Sequence, residues 1–182
     1  MGRRHAHPGF TALLAGALVF AGCQKAPAPP PQAAPNPVAA KPAKPPAHPF
    51  SPRHIYSETA NPKADIAAAL KQAKAEHKRV LIDFGGDWCG DCQVLDIYFR
   101  ESPNDQLLAQ NFVLAHVFVN SDISNNLDLG QKYGIPLKKG VPALAVLDAN
   151  GKLIHAQSSG EFEDMRHMDV QSVTDFLNRW KS

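Results

Sequence analysis

Eleven of the 16 prolines fall within residues 24–54, interleaved with alanine and without one acidic residue. Each proline lacks an amide donor and fixes its own φ, so the stretch can sustain neither a helix nor a sheet ladder. It reads as an extended, solvated spacer. As polyproline II, these 31 residues reach about 95 Å. Whatever core the chain builds must come from residues 56–182, a length that suits one domain. Apolar residues make up 44% of the chain, enough for one packed core and too many for a fully disordered chain.

The charge divides along the same line. All 17 acidic residues lie at or after Glu58, whereas six of the 19 basic ones precede residue 55. Residues 55–182 therefore carry 13 basic and 17 acidic side chains, a net charge of −4, which excludes nucleic acid as an expected partner.

Ahead of the spacer, Arg3 and Arg4 form a short basic region and the 13 residues Gly9 to Ala21 carry no charge. That length is too short to span a bilayer and fits the apolar part of a secretion signal. The stretch ends in Phe20-Ala21-Gly22-Cys23, small residues before a cysteine, similar to a bacterial lipobox. Residues 1–22 thus read as a lipoprotein signal peptide, with Cys23 the lipidated first residue of the mature protein and residues 23–55 the linker. The alternative is plain cleavage that leaves Cys23 a stray thiol. Gln24 stands where aspartate would signal inner-membrane retention, so the expected location is the periplasm, anchored to the outer membrane.

In the folded part, Asn61-Pro62 reads as helix cap and first turn, with Ile66, Leu70 and Ala73 on one face to about His77. Val80 to Phe84 is an apolar run suited to a strand buried on both faces. A helix is expected from about Cys89 to Arg100. Ser102-Pro103 should cap a short helix, with a strand over 112–119 and a helix over 124–133. Two strands, 143–147 and 152–156, are joined through Asn150-Gly151, and a final helix is capped by Asp169. The order α-β-α-α-β-α-β-β-α predicts an α/β fold, a central mixed sheet flanked by helices on both faces.

Trp88-Cys89-Gly90-Asp91-Cys92 sits at a strand-to-helix junction. Cysteines three apart can close a disulfide across the first helical turn. At the helix N-terminus, free N–H groups and the dipole favour the thiolate of Cys89, while Cys92, one turn on, is deeper. Cys89 is then the attacking thiol and Cys92 the resolving one. Half of a zinc site and an inert structural disulfide are the alternatives; no second cysteine pair completes a metal site, and no metal is expected.

Ile82-Asp83-Phe84, the Trp88–Cys92 motif, Lys132-Tyr133-Gly134-Ile135, Gly140-Val141-Pro142 and Asn150-Gly151 together resemble thioredoxin over residues 60–182. The resemblance implies a thioredoxin-like fold with the cysteines at one end of the sheet. It makes Pro142 a cis-proline facing the disulfide, leaves the Val141 backbone free to pair with a substrate strand, and sets Trp88 beside the active cysteine, where its alternative is ordinary rim packing. Asp83 takes the place of the family's buried carboxylate. A lone carboxylate within an apolar strand is costly to ionise, which suits it to shuttle the Cys92 proton through a water; the alternative is an exposed strand end.

The departures are equally specific. Asp91 replaces thioredoxin's proline, and its charge should oppose the Cys89 thiolate and make the dithiol more reducing. Gly85 stands where an aromatic is usual, the lysine that accompanies the buried aspartate aligns with His116, the loop over 136–139 is longer, and residues 157–169 extend the connection to the last helix. The expected activity is thiol–disulfide oxidoreduction without a cofactor, in the reducing direction, by a monomer. Its partners would be protein disulfides of secreted or envelope proteins and an envelope electron donor such as a membrane disulfide reductase. A disulfide oxidase or isomerase, a redox-inert binding or chaperone module, and a copper carrier using His116 or His167 are the rival readings.

Overall fold

The computed structural model describes residues 52–182. The signal read over 1–22, Cys23 and the spacer as far as residue 51 lie outside the described residues. Within them the chain forms α1 (Pro62–Glu76), β1 (Arg79–Gly85), α2 (Gly90–Arg100), α3 (Asn104–Asn111), β2 (Phe112–Phe118), α4 (Leu127–Lys132), β3 (Ala143–Leu147), β4 (Leu153–Ala156) and α5 (Val170–Trp180). Two 3₁₀ turns, Leu137–Lys139 and Met165–His167, interrupt the longer connections. The sheet order is β2-β1-β3-β4, with β1 parallel to β2 and antiparallel to β3, and β3 antiparallel to β4. This is the thioredoxin-like arrangement: a mixed sheet with β1 among its central strands.

Local chemistry sets most of these boundaries. The Asn61 carboxamide accepts the Ala64 N–H at 3.2 Å and Pro62 opens α1; His77, at φ 57°, closes it. The Asp148 carboxylate accepts the N–H groups of Asn150 and Lys152 at 2.8 and 2.9 Å, and Gly151 at φ 85° turns β3 into β4. Asp169 accepts from the Ser172 N–H at 3.1 Å to start α5.

Apart from one-residue differences at element ends, two expectations are corrected. The helix expected over 124–133 begins only at Leu127, because the Asn120 side chain takes the Ser124 and Asn125 N–H groups into a turn and Asn126 sits at φ 51°. Ser102 does not cap α3: its first amide is held by a backbone bond from Asn104 N–H to the Glu101 carbonyl at 2.8 Å.

Alternation along β1 divides the core. Val80, Ile82 and Phe84 belong to a cluster with Ile66 and Ala73 of α1 and Leu129 of α4. Leu81 joins Leu95 and Phe99 of α2 and Val173 and Leu177 of α5. Burying each such side chain is worth about 1.5–3 kcal/mol. Phe162 and Met165, in the long β4–α5 connection, are buried in this second cluster, so that connection is pinned against α2 rather than looped into solvent.

Candidate active site

β1 ends at Gly85, and the turn through Gly86 and Trp88 delivers Cys89 as the N-cap of α2. Cys89 has extended dihedrals, φ −88° and ψ 113°, and its sulfur accepts the Cys92 N–H at 3.1 Å. The two cysteines are joined by a disulfide, their Cα atoms 5.2 Å apart. Cys89 is 5% exposed and Cys92 fully buried. The sulfur nearer solvent is therefore also the one at the positive end of the helix, an asymmetry that favours attack through Cys89.

The Val141–Pro142 peptide is cis, and the Val141 carbonyl lies 3.4 Å from the Cys89 sulfur. Trp88 is 47% exposed, with its indole N–H donated to the Val119 carbonyl at 2.7 Å. Its ring is thus fixed by one polar bond while half its surface stays available beside the disulfide. Trp88, its chain neighbour, and the Val141 carbonyl ahead of the cis-proline both adjoin Cys89.

Asp83 is 2% exposed, within the sheet rather than at an exposed strand end. Nor is it isolated. One carboxylate oxygen accepts from the Tyr56 hydroxyl at 2.7 Å and lies 3.1 Å from His116 Nδ1, its register partner on β2; the other is buried without a partner. Burial, then the nearby Asp83 charge, push the Tyr56 hydroxyl well above its usual pKa, so it stays a donor. Burial alone would lower the His116 pKa, but the hydrogen bond and charge of Asp83 outweigh it and raise the pKa.

Tyr56 has no counterpart in the sequence reading. It enters from the segment before α1, where the Asp87 carboxylate accepts the N–H groups of Ile55 and Tyr56 at 2.8 and 3.0 Å. Arg53 exchanges backbone bonds with the Gln93 side chain at 2.9 and 2.8 Å. A side chain at Gly85 would collide with the Tyr56 ring and hydroxyl and lie 2.9 Å from the Cys92 sulfur. Tyr56 therefore occupies the space that an aromatic at position 85 would take, beside both Asp83 and Cys92. The glycine at 85, where an aromatic is usual, was the available signal.

The second unforeseen residue is Arg166. Asp91 is not a free charge beside the thiols: its carboxylate accepts the Arg166 backbone N–H at 2.9 Å and pairs with the guanidinium at 3.0–3.1 Å. The expectation that Asp91 acts unopposed on Cys89 is corrected by this pairing. The residues proposed as copper ligands are engaged elsewhere: His116 with Asp83, His167 with Asp164. Among the described residues, no group of three or more His, Cys, Asp or Glu is placed to hold a metal ion.

A disulfide at a helix N-terminus facing a cis-proline, on this sheet, defines a class: the fold and the Cys89–Cys92 pair are those of a protein-disulfide oxidoreductase. A family model described as Thioredoxin-like matches residues 61–149. A disulphide isomerase from Xylella fastidiosa Temecula1 is similar at 33% identity and TM-score 0.66, covering 71% of this chain and 98% of that one. A thioredoxin from Thermus thermophilus is 20% identical with TM-score 0.46, over 62% of this chain and 81% of that one. A Thioredoxin H-type protein of Chlamydomonas reinhardtii is 40% identical over 43 residues, 24% of this chain; the chain spans 38% of that curated relative's length. The chain belongs to the thioredoxin-like family.

Proposed function

We propose that the protein is a thiol–disulfide oxidoreductase of the bacterial periplasm, held at the outer membrane by a lipid on Cys23, that reduces disulfides of secreted or envelope proteins. The observation that carries the activity is the Cys89–Cys92 disulfide at the start of α2, opposite the cis Val141–Pro142 edge. The location rests on the basic and apolar residues before Cys23 and on the spacer after it.

An envelope dithiol donor first reduces the pair, two electrons opening the Cys89–Cys92 bond. The Cys89 thiolate then attacks a substrate disulfide. A bond forms from its sulfur to one substrate sulfur as the substrate S–S bond breaks, and the other substrate sulfur leaves as a thiolate. Cys92 gives up its proton and attacks Cys89, which re-forms the disulfide and releases the second substrate thiolate. Asp83 receives that proton, with the Tyr56 hydroxyl or a water as the carrier. Trp88, Val141 and Pro142 form the edge on which the substrate strand lies. A second reading, disulfide isomerisation, is favoured by the similar Xylella protein, which carries that description.

Trapping decides between active and inert pairs. Cys92→Ser should accumulate mixed disulfides with envelope proteins through Cys89, and Cys89→Ser few, resolved by non-reducing electrophoresis and mass spectrometry. Equal trapping by both variants would overturn the assignment of attacking and resolving thiols, and none by either would leave a structural disulfide. A reduction potential of the wild-type couple near −250 mV or lower marks a reductant; one near −120 mV marks an oxidant.

A further inference from the structure

The β4–α5 connection reaches the redox centre. Phe162 and Met165 are buried in the core against α2, and between Met165 and His167 the chain makes a 3₁₀ turn that presents Arg166. The backbone N–H of Arg166 is fixed to Asp91, and its guanidinium grips both Asp91 carboxylate oxygens. Its stem passes over the first residue of α2, with its Cδ 3.7 Å from where a Cβ on Gly90 would be. Glu163, on the same knuckle, lies against Gly140, so that a Cβ there would come within 2.8 Å of it. The connection thus touches both flanks of the disulfide, the start of α2 and the loop before Pro142.

Asp91 lies between the two cysteines in sequence, in the first turn of α2. A carboxylate there disfavours a thiolate at Cys89 and so destabilises the reduced form, and a cation on that carboxylate cancels the effect. The Asp91 hydrogen bond, and then its charge, hold the Arg166 guanidinium still more firmly protonated.

We infer that Arg166 is a positioning residue that sets the redox poise of the Cys89–Cys92 couple by neutralising Asp91. The inference rests on the redox reading of that pair. It assigns the 157–169 connection a role in the chemistry besides any contact with substrate. Removing the guanidinium exposes the Asp91 charge and makes the protein more reducing. Removing the carboxylate charge leaves the guanidinium beside the thiolate and makes it more oxidising.

The test equilibrates the full chain with glutathione buffers, in which two glutathione thiols yield one glutathione disulfide for each Cys89–Cys92 bond opened. The equilibrium is read alongside the rate of Cys89 alkylation by iodoacetamide at neutral pH. Arg166→Gln should shift the exchange constant roughly threefold to tenfold toward the disulfide, tenfold being about 30 mV for this two-electron couple, and slow alkylation. Asp91→Asn, which keeps an acceptor for the Arg166 N–H, should shift both in the opposite sense. The double variant should return to within about twofold of wild type, and Arg166→Lys should recover most of the wild-type value. Single variants that move the constant in the same direction, or by less than about twofold, would overturn the inference, because loosening the connection alone has no reason to give opposite signs. A wild-type pair that fails to equilibrate with glutathione at any ratio sinks the redox reading itself, an outcome distinct from an unshifted constant.

Discussion

At the scale of single residues, the buried polar triad Tyr56–Asp83–His116 is the group beside the disulfide that can be tested one side chain at a time. Asp83→Asn keeps an acceptor for the Tyr56 hydroxyl but removes the charge that holds His116 and, in the proposed mechanism, the proton acceptor for Cys92. The fold should persist, and insulin reduction should slow by about tenfold to 10², most near neutral pH and less in alkali, where Cys92 ionises unaided. Equal rates for variant and wild type from about pH 6 to 9 would leave Asp83 a purely structural group. His116 gives a separate signature. Its pKa is raised in the native state, so its contribution to stability is complete below its unfolded value of about 6.5 and fades as pH rises through the native value. His116→Gln should therefore cost most stability in mild acid, with the gap in urea midpoint narrowing as pH rises. A gap independent of pH would mean that the imidazole has the same pKa in the folded and unfolded chains.

At the scale of elements, the short segment before α1 is a working part of the domain. Residues 53–55, read from sequence as the end of the linker, are fastened to α2 and to Asp87, and this fastening delivers Tyr56 to Asp83. Burial alone would raise the Asp87 pKa, but the N–H bonds from Tyr56 and Ile55 outweigh it and lower it. Asp87→Ala should leave those two amides without their acceptor and cost about 1–3 kcal/mol. It should also slow turnover toward the level of Tyr56→Phe, because both changes disturb the same hydroxyl. A stability loss with full turnover would show that the segment serves packing alone. The same contacts mark the limit of sequence reading. Helix caps, the Asn-Gly turn and the cysteine spacing act over a few residues, so the order of elements, Cys89 and Cys92 were legible, while Pro142 followed from the resemblance to thioredoxin. Tyr56 lies 27 positions from Asp83 and Arg166 lies 75 from Asp91. Gly85, beside Asp83, signals an opened space but not which residue fills it, and nothing local announces the Arg166–Asp91 pairing; the fold creates both. Asp91, read alone, predicted an unopposed charge for that reason.

At the scale of the whole molecule, the proposed anchor and spacer bear on where the chemistry acts. Residues 24–54 hold most of the prolines and no acidic residue, whereas residues 55–182 carry a net charge of −4. The proposed lipid on Cys23 would hold this acidic domain at a membrane surface. One acyl chain gives only marginal membrane binding, so stable attachment would require the multiple chains of a lipoprotein anchor on Cys23. Cys23→Ser should therefore release the domain into the soluble periplasmic fraction, or leave an uncleaved precursor, with the purified domain's insulin reductase activity unchanged, since the disulfide and its partners lie within residues 53–166. Activity toward envelope substrates in cells should fall, because a freely diffusing domain loses the high effective concentration that tethering provides. Fractionation of the wild type decides the matter: recovery in the membrane pellet, extractable by detergent but not by high salt, supports the anchor. Wild-type protein found free of membranes, unchanged by Cys23→Ser, would make residues 1–22 a simple secretion signal and the spacer a tail without an attachment.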